Sequence, residues 1–266
     1  MNKEKQILEL GRLIRRDVLE LCERTNTGHV GSAFSVADIL AVLYSEVLKG
    51  NPTDPDRDRL ILSKGHACAA LYSVLSRKGI LSSDRLSTFA SNGTTLGHHP
   101  HFEPDIGLEA NMGSLGHGLS IGAGLAFAAA KQGSPSRIFV ILSDGETNEG
   151  SVWEAAAFAA HHHLKNLCMI LDANKIQALG NTKDILFPGD HAVRWRAFGW
   201  VTEEIDGHDA RELCGVFARM GSTSKPLAII AHTIKGKEVS FMEGKLLWHY
   251  RPPKGEEYLA ALEELA

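Results

Sequence analysis

The chain predicts an α/β fold: a doubly wound, mostly parallel sheet with helices on both faces. Three observations carry this. Apolar, β-branched-rich runs of strand length recur at Leu60–Leu62, Arg137–Ser143, Leu167–Asp172, Trp200–Ile205 and Leu227–His232. Helical periodicity fills most of the intervals between them, and strands alternating with helices make a parallel sheet. The second and third runs each end in a small polar cluster, Ser143-Asp-Gly145 and Asp172-Ala-Asn174, as strands do at the ligand-binding edge of open α/β sheets.

Lys3 to Arg24 places Ile7, Leu10, Leu13, Ile14, Val18 and Leu21 on one helical stripe, and the basic cluster Arg12 to Arg16 reads as the polar face. Thr25 to Gly31 is a Gly/Thr-rich break. A second helix is expected from Ser35 to about Val47, with Ser35 and Asp38 resembling a capping box. Asn51 to Arg59 is a Pro/Asp turn, and Leu60–Leu62 runs into Ser63-Lys-Gly-His66 and a helix from Ala67 to Arg77. Asn92 to Gly118 is rich in Gly, His and Pro without periodicity, a length of loop that in compact domains is usually functional. A helix begins at Leu119. The helix Val152–His162 is built of Ala, Trp and Phe and nearly free of charge, so burial on more than its sheet side, as a subunit interface beside the ligand edge, is expected. Lys175 to Gly189 reads as a loop, Ala210 to Met220 as a helix, and a short helix starts near Gly255. No repeat or linker interrupts the chain, which is expected to form one domain over residues 1–266.

A length of 266 residues suffices for a buried core, and a net charge of −4 argues against nucleic acid as the main partner. Cys22, Cys68, Cys168 and Cys214 are widely spaced and show no metal-ligand pattern, as buried thiols in a reducing compartment would. The amino terminus is charged and amphipathic, without a signal-peptide core, and no apolar run approaches membrane-spanning length. The expectation is a cytoplasmic protein that uses neither membrane nor nucleic acid.

Asp144 and Asn174 close neighbouring strands. Alone, each could be a turn residue. Side by side, with the Ile176 carbonyl near and Gly145 leaving the backbone open to a phosphate, they suit a hard divalent cation that also holds a diphosphate. Five histidines in loop-like sequence are further candidates: His29, His66, the pair His98-His99, and His249. Imidazoles of this kind could be surface residues or could line a polar channel, binding hydroxyls and moving protons. Gly113-Ser-Leu-Gly-His-Gly118 approaches a dinucleotide fingerprint through Gly116, Gly118 and Gly122, but no strand precedes it. Close packing at a helix start is the other reading.

Asp144-Gly145, Glu149-Gly150 and Asn174-Lys-Ile176 together resemble the thiamine diphosphate signature, with Ser143 where Gly is usual. The histidine segments Thr27-Gly-His-Val-Gly31, Ser63-Lys-Gly-His-Ala67, Leu96-Gly-His-His-Pro100 and Leu247-Trp-His-Tyr250 resemble those of transketolases. Val30 stands where the family has Pro, and Tyr250 where a small residue is common; His99 is the favoured match of its pair. The resemblance covers nearly the whole chain, as the amino-terminal part of a transketolase. It implies the thiamine diphosphate-binding fold. His29, His66, His99 and His249 become catalytic. His66, Gly113, Ser114, Leu115, Asp144, Gly145, Asn174 and His249 become cofactor-binding. Asp144, Asn174 and Ile176 ligate magnesium, calcium or manganese. His117 replaces the usual Gln. Glu149 and Glu154 join a carboxylate network between paired sites. The triplet His161-His-His163 fans around a helix and reads as structural. Lys235-Gly-Lys237 could meet phosphate or be a solvated loop.

The glutamate that activates thiamine diphosphate belongs in the family to a separate pyrimidine-binding domain, which these residues do not contain. The expected protein is therefore one subunit of a split transketolase, paired with a carboxyl-terminal subunit in a heterotetramer of two copies of each. It transfers a two-carbon ketol unit from a ketose, phosphorylated or not, to an aldose. Alternatives are another thiamine-dependent carboligase, of deoxyxylulose-phosphate-synthase or sugar-tailoring type, and a non-catalytic scaffold. The dehydrogenase E1 α-subunits share the Asp-Gly…Asn motif but are not expected to carry the histidine segments.

Overall fold

A computed structural model describes residues 3–186 and 189–266. Helix α1 (Lys3–Thr25) leads into α2 (Val30–Ser35), α3 (Ala37–Val42) and a π-helical turn at Leu43–Val47. Strand β1 (Arg59–Leu62), a 3-10 turn at Gly65–Ala67, α4 (Cys68–Arg77) and α5 (Ser83–Leu86) follow. The stretch from 92 to 117 is irregular apart from a 3-10 turn at Pro104–Ile106. Then come α6 (Gly118–Gln132), β2 (Ile138–Ser143), α7 (Gly150–His161) and β3 (Leu167–Ala173). A small hairpin, β4 (Ile176–Gln177) with β5 (Gly180–Asn181), precedes α8 (Thr182–Ile185) and α9 (His191–Ala197). Strand β6 (Val201–Asp206), α10 (Ala210–Phe217), β7 (Leu227–His232), a 3-10 turn at Leu246–His249 and α11 (Glu256–Glu264) complete the order.

The five long strands form one parallel sheet in the order β1-β2-β3-β7-β6, as the alternating pattern predicts. Successive side chains of a strand point to opposite faces. Phe139 and Ile141 of β2 therefore join the core under α1 to α4 and α10, while Ile138, Val140 and Leu142 join the one under α6, α7 and α9. Every residue of β2 and β3 is buried, which is why both read as unbroken apolar runs. The Gly-rich segment is a helix start packed against the sheet. A Cβ on Gly118 would strike Ser63, and one on Gly122 would strike Val140.

Expectations fail at four places, one of them the loop read from Lys175 to Gly189, which carries the hairpin β4-β5 and helix α8. The second helix starts at Val30, not Ser35, and breaks at Val36. Ser35 caps nothing: its hydroxyl donates to Asp172 (2.6 Å), and Asp38 binds Arg15. Arg15, which helical periodicity assigns to a polar face, is fully buried, because the buried Asp38 pairs with it and the exposed Glu238 reaches it from the surface. Helix α7 buries Val152, Ala155, Ala156 and Ala159 against its own chain, and its Phe158 is 40% exposed, open to the partner face expected there.

Candidate functional site

The parallel register sets Ser143 beside Asp172, so the ends of β2 and β3 deliver Asp144 and Asn174 to one carboxyl edge. There they line a cleft of about 390 Å³ with Ile176, Gln177, Lys235 and four of the histidines. Asp144 is held rigidly. Its Oδ1 accepts from the Gly145 amide (2.9 Å), and its Oδ2 accepts from the Lys175 amide (2.7 Å) and the Thr182 hydroxyl (3.1 Å). Burial and the neighbouring Asp172 charge raise the Asp144 pKa despite these bonds, so the carboxylate is short of positive charge. Asn174 Oδ1 accepts from the Ile176 amide at 3.2 Å, and its amide group reaches Asp172 Oδ2 at 3.3 Å.

Behind this floor lies a buried polar layer whose pairings no sequence motif announces. Asp172 and Lys64 form a fully buried ion pair, and Lys64 Nζ also donates to the Ser32 carbonyl at 2.9 Å. Burial penalises the charged form of Asp172, but Lys64, Ser35 and Thr233 outweigh it and hold the carboxyl below its usual range. Glu146 is equally buried and accepts from the Ser143 amide (2.8 Å), the Gly116 amide (3.0 Å) and the Ser63 hydroxyl. It completes a capping box with Ser143 over the turn Asp144–Asn148, which gives Ser143 a structural role. Glu149 and Glu154, the carboxylates singled out from sequence, are exposed in this chain, and Glu149 lines the cleft.

The histidines converge from separate loops. The His29 ring centroid lies 4.9 Å from that of His66 and 4.6 Å from that of His249. His29 has a left-handed backbone (φ 67°), fixed by its amide bond to the His249 carbonyl at 2.9 Å, and its Nδ1 is buried without a partner. Burial and then the Lys235 charge push the His29 pKa down to about 4 and that of His249 down to about 3. His66, bonded through Nε2 to Ser32 Oγ at 3.0 Å, is pushed well down by burial and Lys64. These three imidazoles are neutral at pH 7. His99 lines both this cleft and an adjoining cavity of about 330 Å³ that shares His29 and His66. His98 is exposed, lines only the adjoining cavity and packs on Phe89.

Gly113 and Leu115 line the cleft, and Leu115 presents an exposed apolar side chain there; Ser114 is exposed and does not line it. His117 faces solvent, with Nδ1 against the Leu115 carbonyl at 3.1 Å. Nothing in the packing demands glycine at Gly145, where a Cβ would make ordinary contact with Gln177. Lys235 is no solvated loop residue. It is 2% exposed, and its ammonium bonds the Ile176 carbonyl and His249 Nδ1, each at 3.0 Å. Burial, then repulsion from Lys64, lowers its pKa to about 8.

The donor set fits a metal–diphosphate group. One carboxylate, one amide oxygen and one carbonyl leave a hard cation several positions for phosphate and water. The Ile176 carbonyl already attracts a cation, the Lys235 ammonium. The triplet His161–His163 forms no metal cluster with His, Cys, Asp or Glu among the described residues; His162 packs on Phe127 and Phe158. All four cysteines are free, and no helix among the described residues is long and apolar enough to cross a membrane.

Residues 3–265 match the family model described as transketolase, thiamine diphosphate binding domain. The chain is 42% identical to an apulose-4-phosphate transketolase subunit of Actinobacillus succinogenes, over 95% of this chain and 93% of that protein. It is 40% identical to a 6-deoxy-6-sulfo-D-fructose transketolase subunit of a Clostridium species, over 95% and 94%. The solved transketolase of Campylobacter jejuni superimposes with a TM-score of 0.90 at 32% identity, covering 100% of this chain and 43% of that one. That of Leishmania mexicana gives 0.90 at 28%, with 97% and 41% covered. The chain thus spans about two fifths of the length of these solved transketolases.

Proposed function

On the premise that this chain belongs to the transketolase family and carries its thiamine diphosphate-binding domain, we propose that it is the diphosphate-binding subunit of a split, ketol-transferring enzyme. The observation that carries this is the cleft edge: Asp144 and Asn174 side by side on adjacent strands, with the Ile176 carbonyl already gripping a cation. When bound, thiamine diphosphate supplies the electron sink that lets a carbon–carbon bond beside a ketose carbonyl break and re-form. Asp144, Asn174 and the Ile176 carbonyl hold magnesium, or calcium or manganese in its place. Lys235 offsets the diphosphate charge. Gly113 and Ser114 offer backbone contacts and Leu115 an apolar surface to the cofactor rings, and Gly145 offers its amide edge to the phosphates. His29, His66, His99 and His249, neutral at pH 7, accept or donate hydrogen bonds to sugar hydroxyls and pass protons among them.

All these residues lie in one pyrophosphate-binding domain over residues 1–266. The relatives named as transketolase subunits, matched over nearly their whole length, support a separate partner chain. That partner carries the pyrimidine-binding domain and its catalytic glutamate, in a heterotetramer of two copies of each chain. Exposed Leu179, Leu247, Tyr250 and Phe158 give it apolar surface to cover. The sugars in the names of two relatives, apulose-4-phosphate and 6-deoxy-6-sulfo-D-fructose, have an anionic end. The lining of the two cavities holds one basic side chain besides histidines, Lys235, among the described residues. The anionic end of a phosphorylated or sulfonated sugar is therefore read by the partner, whose Arg forks suit it. The four free cysteines suit the cytoplasm.

Calorimetric titration of thiamine diphosphate with and without magnesium tests the reading. Metal-dependent binding by the wild-type chain, lost in Asp144→Ala at an unchanged far-ultraviolet circular dichroism spectrum, is the expected result. Equal affinity in the variant overturns the metal assignment, and no binding by the wild type with its partner present overturns the enzyme.

A further inference from the structure

Lys235 reaches the cleft from a short loop, Ile234 to Glu238, that is clamped at both ends by a polar network behind the site. At the far end, Glu238 takes a left-handed backbone (φ 71°) and its carboxylate accepts from Arg15 Nη1 at 2.9 Å. In the middle, the Gly236 amide donates to the Gly31 carbonyl at 3.0 Å, and a Cβ on Gly236 (φ 79°) would lie 2.5 Å from the Met242 carbonyl oxygen. At the near end, the Ile234 amide donates to His208 Nε2 at 2.9 Å. His208 Nδ1 in turn lies 2.7 Å from Asp38 Oδ2, and Asp38 is paired with the buried Arg15.

The hydrogen bonds dictate the ring's state. A backbone amide can only donate, so His208 Nε2 must present its lone pair. The proton then sits on Nδ1 and donates to Asp38, giving a neutral ring that joins a buried ion pair to a main-chain amide. Two glycines make the approach possible. A Cβ on Gly11 of α1 would strike Asp38 Oδ1, and one on Gly207 would strike Thr233 and come within 3.1 Å of Ala231. The turn between β6 and α10 can therefore press against the end of β7, where the Gly207 amide bonds the His232 carbonyl at 2.9 Å.

We propose that His208 is a positioning residue: as an Nδ1-protonated imidazole braced by Asp38 and Arg15, it fixes the Ile234 amide and so aims the Lys235 ammonium at the Ile176 carbonyl and the diphosphate side of the cleft. His208 acts on the cleft only through that backbone. The inference rests on the reading of Lys235 as a diphosphate-facing group, and one arm of its test is independent of that reading.

Conservative variants separate positioning from packing. In His208→Gln, Oε1 reaches the place of Nε2 and can still accept from Ile234. In His208→Asn, Nδ2 replaces Nδ1 and keeps the Asp38 bond but cannot reach Ile234. Calorimetry with magnesium and thiamine diphosphate should show about tenfold weaker binding in His208→Asn and His208→Ala, the loss of one hydrogen bond. Binding in His208→Gln should stay within about twofold of wild type on the same ground. Equal affinities for the Gln and Asn variants, or better binding by Asn, overturn the proposal. Nitrogen-15 NMR of the wild-type chain gives the independent arm: His208 should show an unprotonated Nε2 and a proton on Nδ1, whether or not cofactor binds. A proton on Nε2 sinks the proposal even if the cofactor reading stands. Failure of the wild type to bind cofactor, with the tautomer as expected, sinks the functional reading and leaves the brace in place.

Discussion

The two walls of the cleft are built on opposite principles. The floor, from Asp144 through Asp172 and Lys64 to Glu146, is dense with hydrogen bonds; Glu146 alone accepts from four donor groups. The histidine wall is sparsely bonded. His29, His66 and His249 meet chiefly ring against ring, and His29 Nδ1 is buried with no partner. The floor uses its bonds to keep charge in place, since a buried carboxylate without them would neutralise. The wall keeps its imidazoles neutral by burial and nearby ammonium charge, and leaves donor and acceptor capacity free for a ligand. Stability should therefore reside in the floor and chemistry in the wall.

The largest effect expected from that contrast is on the floor. Lys64→Met strips the counter-charge from a fully buried Asp172 and should cost about 3–5 kcal/mol, measured by denaturant unfolding. A cost below about 1 kcal/mol, the range of an exposed ion pair, would mean that the floor is not where stability resides. Next comes the wall. Asn tolerates the left-handed backbone of position 29, so His29→Asn should shift stability by less than about 1 kcal/mol. Turnover of the enzyme assembled with its partner should fall about a hundredfold or more, the worth of a proton-transferring group. The reverse pattern, an unfolded chain or full activity, would break the comparison.

A smaller effect is set by pH. The folded pKa of His29 is depressed from 6.5 to about 4, and that of His249 from 6.5 to about 3. Between those values the unfolded chain binds more protons than the folded one, so stability rises with pH. The histidine contribution is fully present above 6.5 and is lost as pH falls through the window to 4 and below. Melting temperatures recorded from pH 7 to pH 4 should fall, and fall less steeply in His29→Asn. Identical slopes would show that the wall does not carry this dependence. The smallest effect belongs to the rim, where Leu179 is 78% exposed. Leu179→Ser should leave stability within about 0.5 kcal/mol while weakening co-purification with the partner chain; an unaltered yield of complex would take Leu179 out of that interface.

Asp144 and Asn174 are legible because each follows an apolar run, and the pattern that marks a strand also marks which residue reaches the sheet edge. The histidine segments are legible as loop motifs, and of the adjacent pair only His99 lines the cleft with Asp144, while both line the adjoining cavity. Lys64 reads only as part of a motif around His66. Its partner Asp172 lies 108 residues away, and no local pattern joins them. Arg15 escapes for the same reason, since helical periodicity assigns a charge to solvent unless a distant carboxylate is known to meet it. Lys235-Gly-Lys237 leaves both a phosphate contact and a solvated loop open, since no pattern in it points Lys235 inward. Gly236 is the one hint otherwise, since its positive φ serves the tight turn that carries Lys235 inward.

The sequence by itself determined the parallel α/β order, the neighbouring strands β2 and β3, and the oxygen-bearing side chains of Asp144 and Asn174 at their ends. These follow from short-range periodicity and from residue chemistry at a boundary. Only the tertiary structure decided which charges are buried, which carboxylates pair and which imidazole tautomer supports the Lys235 loop. Those outcomes depend on electrostatic partners brought together by folding across as many as 223 positions, as Arg15 and Glu238 are, and the cost of burying a charge is met by a partner that the local sequence does not name.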